Sequence, residues 1–109
     1  MTMAALFAAG NYLKDFTVDG VASVTAAGTR VQLTTTVTPC EAVVVQNLEN
    51  SAGIAVVGEV GVVATAGTTR RGIIALAPGE ATVIPCTDVS ILYVDATVAT
   101  TNLSWCAMR

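Results

Sequence analysis

From Gly20 onward the chain is cut into short Val/Thr-rich runs by turn-forming residues at intervals of roughly eight to twelve positions. That punctuation leaves no room for a sustained helical period and predicts short strands joined by tight turns. The residues between the breaks agree. Ala, Val and Thr make up nearly half of the 109 residues, and β-branched side chains pack well on a pleated surface.

Taken in order, Val21 to Thr25 is the first expected strand, ended by Ala26-Ala27-Gly28. "RVQLTTTVT" then alternates, with Val31, Leu33, Thr35 and Val37 on one side and Gln32, Thr34, Thr36 and Thr38 on the other. This is the period of a strand with one wet face, stopped at Pro39. Ala42 to Leu48, "AVVVQNL", is apolar on both faces except at Gln46 and Asn47 and predicts a central strand. "ENSAG" follows as a turn. "IAVVGEVGVVATAG" predicts two short β runs broken at Gly58 and Gly61.

"GIIALAPGEATVIP" predicts two strands around a corner. Pro78 fixes φ at the second turn position and Gly79 accepts the positive φ of the third, the pairing a type II turn requires. After Pro85-Cys86-Thr87, Asp88 is placed to bond backbone amides ahead of it and hold a bend. The last two expected strands are Ile91 to Val98 and Leu103 to Met108. The expected fold is all-β: an antiparallel β-sandwich, jelly-roll-like or a small barrel, over residues 21–109.

Residues 1–20 differ. Both phenylalanines of the chain, Phe7 and Phe16, lie here with Leu6, Tyr12 and Leu13. Met3 to Ala9 is long enough for one or two helical turns, which Gly10-Asn11 would end. The segment reads as an arm lying on another surface; the alternative is a first strand with a frayed end.

Charge narrows the partners. Only 12% of residues are charged, against about 25% in an average soluble domain. Hydrophobic residues make up 53%, yet no run approaches the roughly 20 apolar residues needed to cross a bilayer, so no membrane partner is expected. A small domain with so few charges is expected to cover part of its surface with other subunits. Net charge is −3, and the basic residues Lys14, Arg30, Arg70, Arg71 and Arg109 are scattered, which argues against nucleic acid. Arg70-Arg71 is the one basic cluster. It reads as a solvated loop tip or, more sharply, as an ion-pairing site for a neighbouring subunit.

The short apolar run near the N-terminus has no basic residue ahead of it, so no secretory leader is expected. Cys40, Cys86 and Cys106 are then read as small buried hydrophobes, with a Cys40–Cys86 bridge possible only if the two face each other.

Chemistry is scarce. The chain has no histidine, which removes the commonest general base and metal ligand. The glycines at 58, 61 and 67 do not fit a dinucleotide fingerprint, and "GTTRRG" lacks the lysine of a phosphate loop. The cysteine spacing suits no zinc site. Most of the eight acids sit beside turn residues; Asp95 alone lies inside a strand pattern. No enzyme activity, cofactor or metal is expected.

Three segments in order carry a resemblance: "VVVQNLENSAGIAVVG", "TTRRGIIALAPGEATVIP" and "TDVSILYVDATVATTNLSW". Together, over about Arg30 to Arg109, they resemble small β-sandwich virion proteins of tailed bacteriophages, of the capsid decoration or cement type. The resemblance implies a non-enzymatic protein, made in the host cytoplasm and carried on the capsid surface. It also implies the major capsid protein as partner and a homotrimer, since closed symmetry is the rule for such assemblies. On this view Leu6, Phe7, Tyr12 and Phe16 form the gripping arm, with Arg70 and Arg71 as a loop contact. A tail, neck or fibre-base component is the first alternative. A carbohydrate-binding adhesion module is the second; it would need an exposed aromatic platform, whereas Trp105 shares a strand face with Leu103 and Ala107 and is expected in the core.

Overall fold

The computed structural model describes residues 16–65 and 67–109. Eight strands follow one another: β1 (Phe16–Val24), β2 (Val31–Gln32), β3 (Ala42–Asn47), β4 (Ala55–Gly58), β5 (Ile74–Leu76), β6 (Ala81–Pro85), β7 (Tyr93–Ala96) and β8 (Thr101–Met108). A 3-10 turn, Val89–Ile91, precedes β7. The strands form two four-stranded antiparallel sheets, ordered β1-β8-β3-β6 and β2-β7-β4-β5.

The pairing has a simple logic. β1 pairs with β8, β2 with β7, β3 with β6 and β4 with β5. The chain is therefore one long antiparallel ribbon, doubled back between β4 and β5 and rolled up so that β8 meets β3 and β7 meets β4. This is the jelly-roll arrangement, two packed sheets of four strands each.

Alternation along each strand builds the core. Across β1-β8-β3-β6 the inward rows are Ala22–Leu103–Asn47, Gly20–Trp105–Val45–Thr82 and Ala107–Val43–Ile84. They meet Ala55, Val57, Leu76, Val94 and Ala96 of the other sheet in one cluster. Trp105 is buried as its strand face predicts, and its indole Nε1 donates to the Leu33 carbonyl at 3.1 Å. The ring fits because Gly20 lies opposite it. A Cβ there would stand 2.9 Å from the indole Cζ2.

Several expectations need correction. The run Val31 to Thr38 is a strand only at Val31–Gln32. Beyond it the threonines divert the backbone: Thr34 Oγ1 accepts from the Thr36 amide and Thr38 Oγ1 donates to the Thr36 carbonyl. Such local side-chain bonds compete with a ladder. Leu33 is buried, but Val37, expected on the same face, is 70% exposed. The second β run expected after Gly61 is a loop, paired with the segment before β5 through an isolated Val63–Arg71 bridge. β1 starts at Phe16, so the strand takes in residues 16–20 of the expected arm.

The corner at residues 77–80 forms as expected. Gly79 has φ +88°, the Glu80 amide donates to the Ala77 carbonyl at 2.9 Å, and the Glu80 carboxylate accepts from the Ala77 amide at 2.6 Å. Asp88 caps the 3-10 turn, accepting from Ser90 and Thr38 amides at 2.9 Å each. These bonds, Thr38's first, hold its carboxyl below the usual carboxylate value.

Candidate interaction surface

The two sheets treat their outer faces differently. Over β2-β7-β4-β5 the loop between β4 and β5 folds back, and its Val62 and Ala64 bury Val56 in a small second core with Ile54 and Tyr93 alongside. With Ala55 and Val57 in the main core, all four residues of β4 are buried. Asp95 on β7 anchors the cover. One carboxylate oxygen accepts from the Gly28 amide at 3.1 Å and its own neighbour Ala96 at 2.8 Å; the other accepts from the Ala64 amide at 2.9 Å. Asp95 thus ties three pieces of backbone together at 2% exposure, and Asp19, read from sequence as a turn acid, also lies within a strand, β1.

The outer face of β1-β8-β3-β6 has no such cover among the described residues. Its cross-strand rows are Val21–Ser104–Gln46–Ala81 and Asp19–Cys106–Val44–Val83. Asp19 is the one charge in these rows. Val21 is 58% exposed, and a shallow depression of about 430 Å³ runs between β1 and β6 over Val44 and Ser104. Burial, then the Asp19 charge, pushes the Cys106 thiol up from its ordinary value. This face is small-chained, nearly neutral and made of regular strand.

A second feature lies beside the start of β1. Val18 and Val37, both exposed, flank a groove of about 280 Å³ that also takes in Thr36, Pro39 and Arg109. It exists because the segment after Leu33 leaves the sheet and does not pair alongside β1.

Of the residues singled out from sequence, Leu6, Phe7 and Tyr12 lie outside the described residues. Phe16 opens β1 opposite Met108. Arg70 and Arg71 belong to the covering loop, away from the bare face, and they part company. Arg70 Nε donates to the Ala64 carbonyl at 3.1 Å, stiffening the cover, while Arg71 is exposed. Val21, Val44, Gln46 and Ser104 were not singled out from sequence. Only the register shows that they share rows, since Val21 and Ser104 are 83 positions apart (104 − 21).

Compared with family models, curated proteins and solved structures, the chain matches none.

Proposed function

We propose that this protein is a non-enzymatic virion subunit that decorates the assembled head of a tailed bacteriophage, with the major capsid protein against the bare face of β1-β8-β3-β6. The observation that carries the reading is the asymmetry between the sheets. Among the described residues, one outer face is covered by the chain's own loop while the other is uncovered and almost uncharged. An exposed neutral sheet face of this kind is a liability in a free monomer and an asset in an assembly. The jelly roll agrees with a capsid role but does not select it, because lectin domains use the same architecture.

Decoration needs no catalyst. A protein that binds only the assembled shell stabilises it by RT ln(1 + [L]/Kd) at each site, and many sites together oppose the pressure of packaged DNA. The adhesion alternative has little to stand on at Trp105, whose indole is inside the core.

The test is co-sedimentation with empty capsids, using the outward-facing pair Val21→Glu with Ser104→Arg. Both side chains point away from the core, so the variant is expected to fold. Its binding should fall at least tenfold relative to the parent chain. Saturation of capsids at the parent concentration would overturn the reading, as would finding the protein on purified tails and not on heads. Deleting residues 1–15 gives a separate arm test, with weakened capsid binding expected from a folded body. Native mass spectrometry of the free protein reports whether it is the expected homotrimer.

A further inference from the structure

We propose that Cys40 and Cys86 form a covalent modification site, a thiol pair that closes to a disulfide when it meets a small-molecule disulfide of the glutathione type. The two sulfurs are 3.4 Å apart, already in contact, although the residues are 46 positions apart in sequence. Both are free thiols, half-buried against the edge of the main core. The geometry is set by backbone and not by chance side-chain rotation. Just beyond the β3–β6 ladder, the Cys40 amide donates to the Thr87 carbonyl at 3.0 Å and the Cys86 amide donates to the Glu41 carbonyl at 3.3 Å. These bonds hold the two chains side by side where the cysteines leave them. Asp88 holds the next residues, accepting from Thr38 across the same gap. Closing to a disulfide asks the sulfurs to approach by about 1.4 Å more, to the bonded separation.

Burial, then hydrogen bonding and charge interaction with Cys86, push the Cys40 thiol up to about 12, with Asp88 adding to the rise and Arg109 opposing it. One thiol of the pair, as thiolate, attacks one sulfur of the small disulfide, forming a mixed disulfide and releasing one small thiolate, which takes up a proton. The other thiol then gives up its proton, attacks the protein sulfur of the mixed disulfide and expels the second small thiolate, which takes up a proton. In sum, two protein thiols are oxidised to one disulfide while one small disulfide is reduced to two thiols.

Cys106 takes no part. It lies on the outer face of β8, in the row with Asp19 and Val44. The chain so crosslinked ties the start of β3 to the end of β6, closing a long loop and restricting the unfolded state. A protein folded in a reducing cytoplasm would gain this staple on release into an oxidising medium.

The experiment treats the full chain with oxidised glutathione at pH 8, then alkylates, digests and weighs the peptides. The expected product is two hydrogens lighter, with Cys40 and Cys86 joined and Cys106 alkylated, and it melts about 10 °C higher, reversibly with reductant. Cys40→Ser and Cys86→Ser, each left with one thiol of the pair, should form no internal disulfide and stop at a single glutathione on that thiol. Three alkylated thiols after treatment, a lasting glutathione adduct on the parent chain, or a bridge that includes Cys106 would each overturn the proposal. Because the parent chain is the primary sample, misfolding of either variant leaves the test intact.

Discussion

Replacing Asp95 with Asn changes little in shape and much in bonding. The carboxylate offers acceptors to Gly28, Ala64 and Ala96 amides at 2.8 to 3.1 Å. An amide has one oxygen. If that oxygen serves Gly28 and Ala96, the new NH2 faces the Ala64 N–H, donor against donor; flipped, it strands the other two. A hydrogen bond to a charged group contributes roughly 1.5–3 kcal/mol, and leaving a buried donor unpaired costs about 1–3 kcal/mol. Relief of the desolvation of a buried charge offsets part of this. The net loss expected for Asp95→Asn is about 2–4 kcal/mol, or a fall in Tm of roughly 10–20 °C for a domain of this size. Urea and thermal unfolding followed by circular dichroism measure it. Amide exchange locates it: the Ala64 amide and its neighbours in the covering loop should exchange faster, while β8 keeps its protection. A variant within about 0.5 kcal/mol of the parent, with unchanged exchange at Ala64, would show that the loop is held by its apolar contacts alone and that the anchoring role is wrong.

Two further outcomes follow from the geometry. Gly20→Ala puts a methyl 2.9 Å from a buried, hydrogen-bonded indole, so overpacking should cost about 1–3 kcal/mol; a shifted tryptophan emission would accompany the loss, and an unchanged melting curve and spectrum would refute the fit. Asp88 carries a pH dependence. Its folded pKa lies below the ordinary 3.8, so its contribution is fully present above the ordinary value and is lost as pH falls through the folded one. Asp88→Asn, which keeps a capping oxygen, should therefore melt with a shallower dependence on pH between about 5 and 2 than the parent. Parallel curves would count against the assignment.

How much of this was legible beforehand depends on whether the cause was local. The corner at Pro78-Gly79 is decided by two backbone preferences, so it could be read directly. β3 showed itself as a run apolar on both faces, and β8 as a closing strand with Trp105 on the correct face. The stretch after Gln32 misled because threonine supports a strand and also a hydroxyl-bonded bend, and only the neighbours decide between them. "GVVATAG" misled for a related reason: Val62 and Ala64 serve as well in a loop pressed on a sheet as in a strand within one. Asn47 shows the limit most clearly. It looked like a polar strand end, yet it is fully buried, its side-chain amide donating to the Gly53 and Leu76 carbonyls at 2.9 Å each. Those partners lie in different elements, and no periodicity within the strand points to them. The neutral face was illegible for the same reason, since it is assembled from four strands by register.

The place of β8 bears on biosynthesis. Because it lies between β1 and β3, β1 lacks its sheet neighbour and β3 has only β6 until residues 101–108 have left the ribosome. Folding must then await the emergence of those residues and proceed through long-range closure, the slow regime for chains of this kind. During that wait the apolar edge of β3 is open to any passing strand, so yield in the cell should depend on temperature and expression rate more steeply than on the stability of the finished fold.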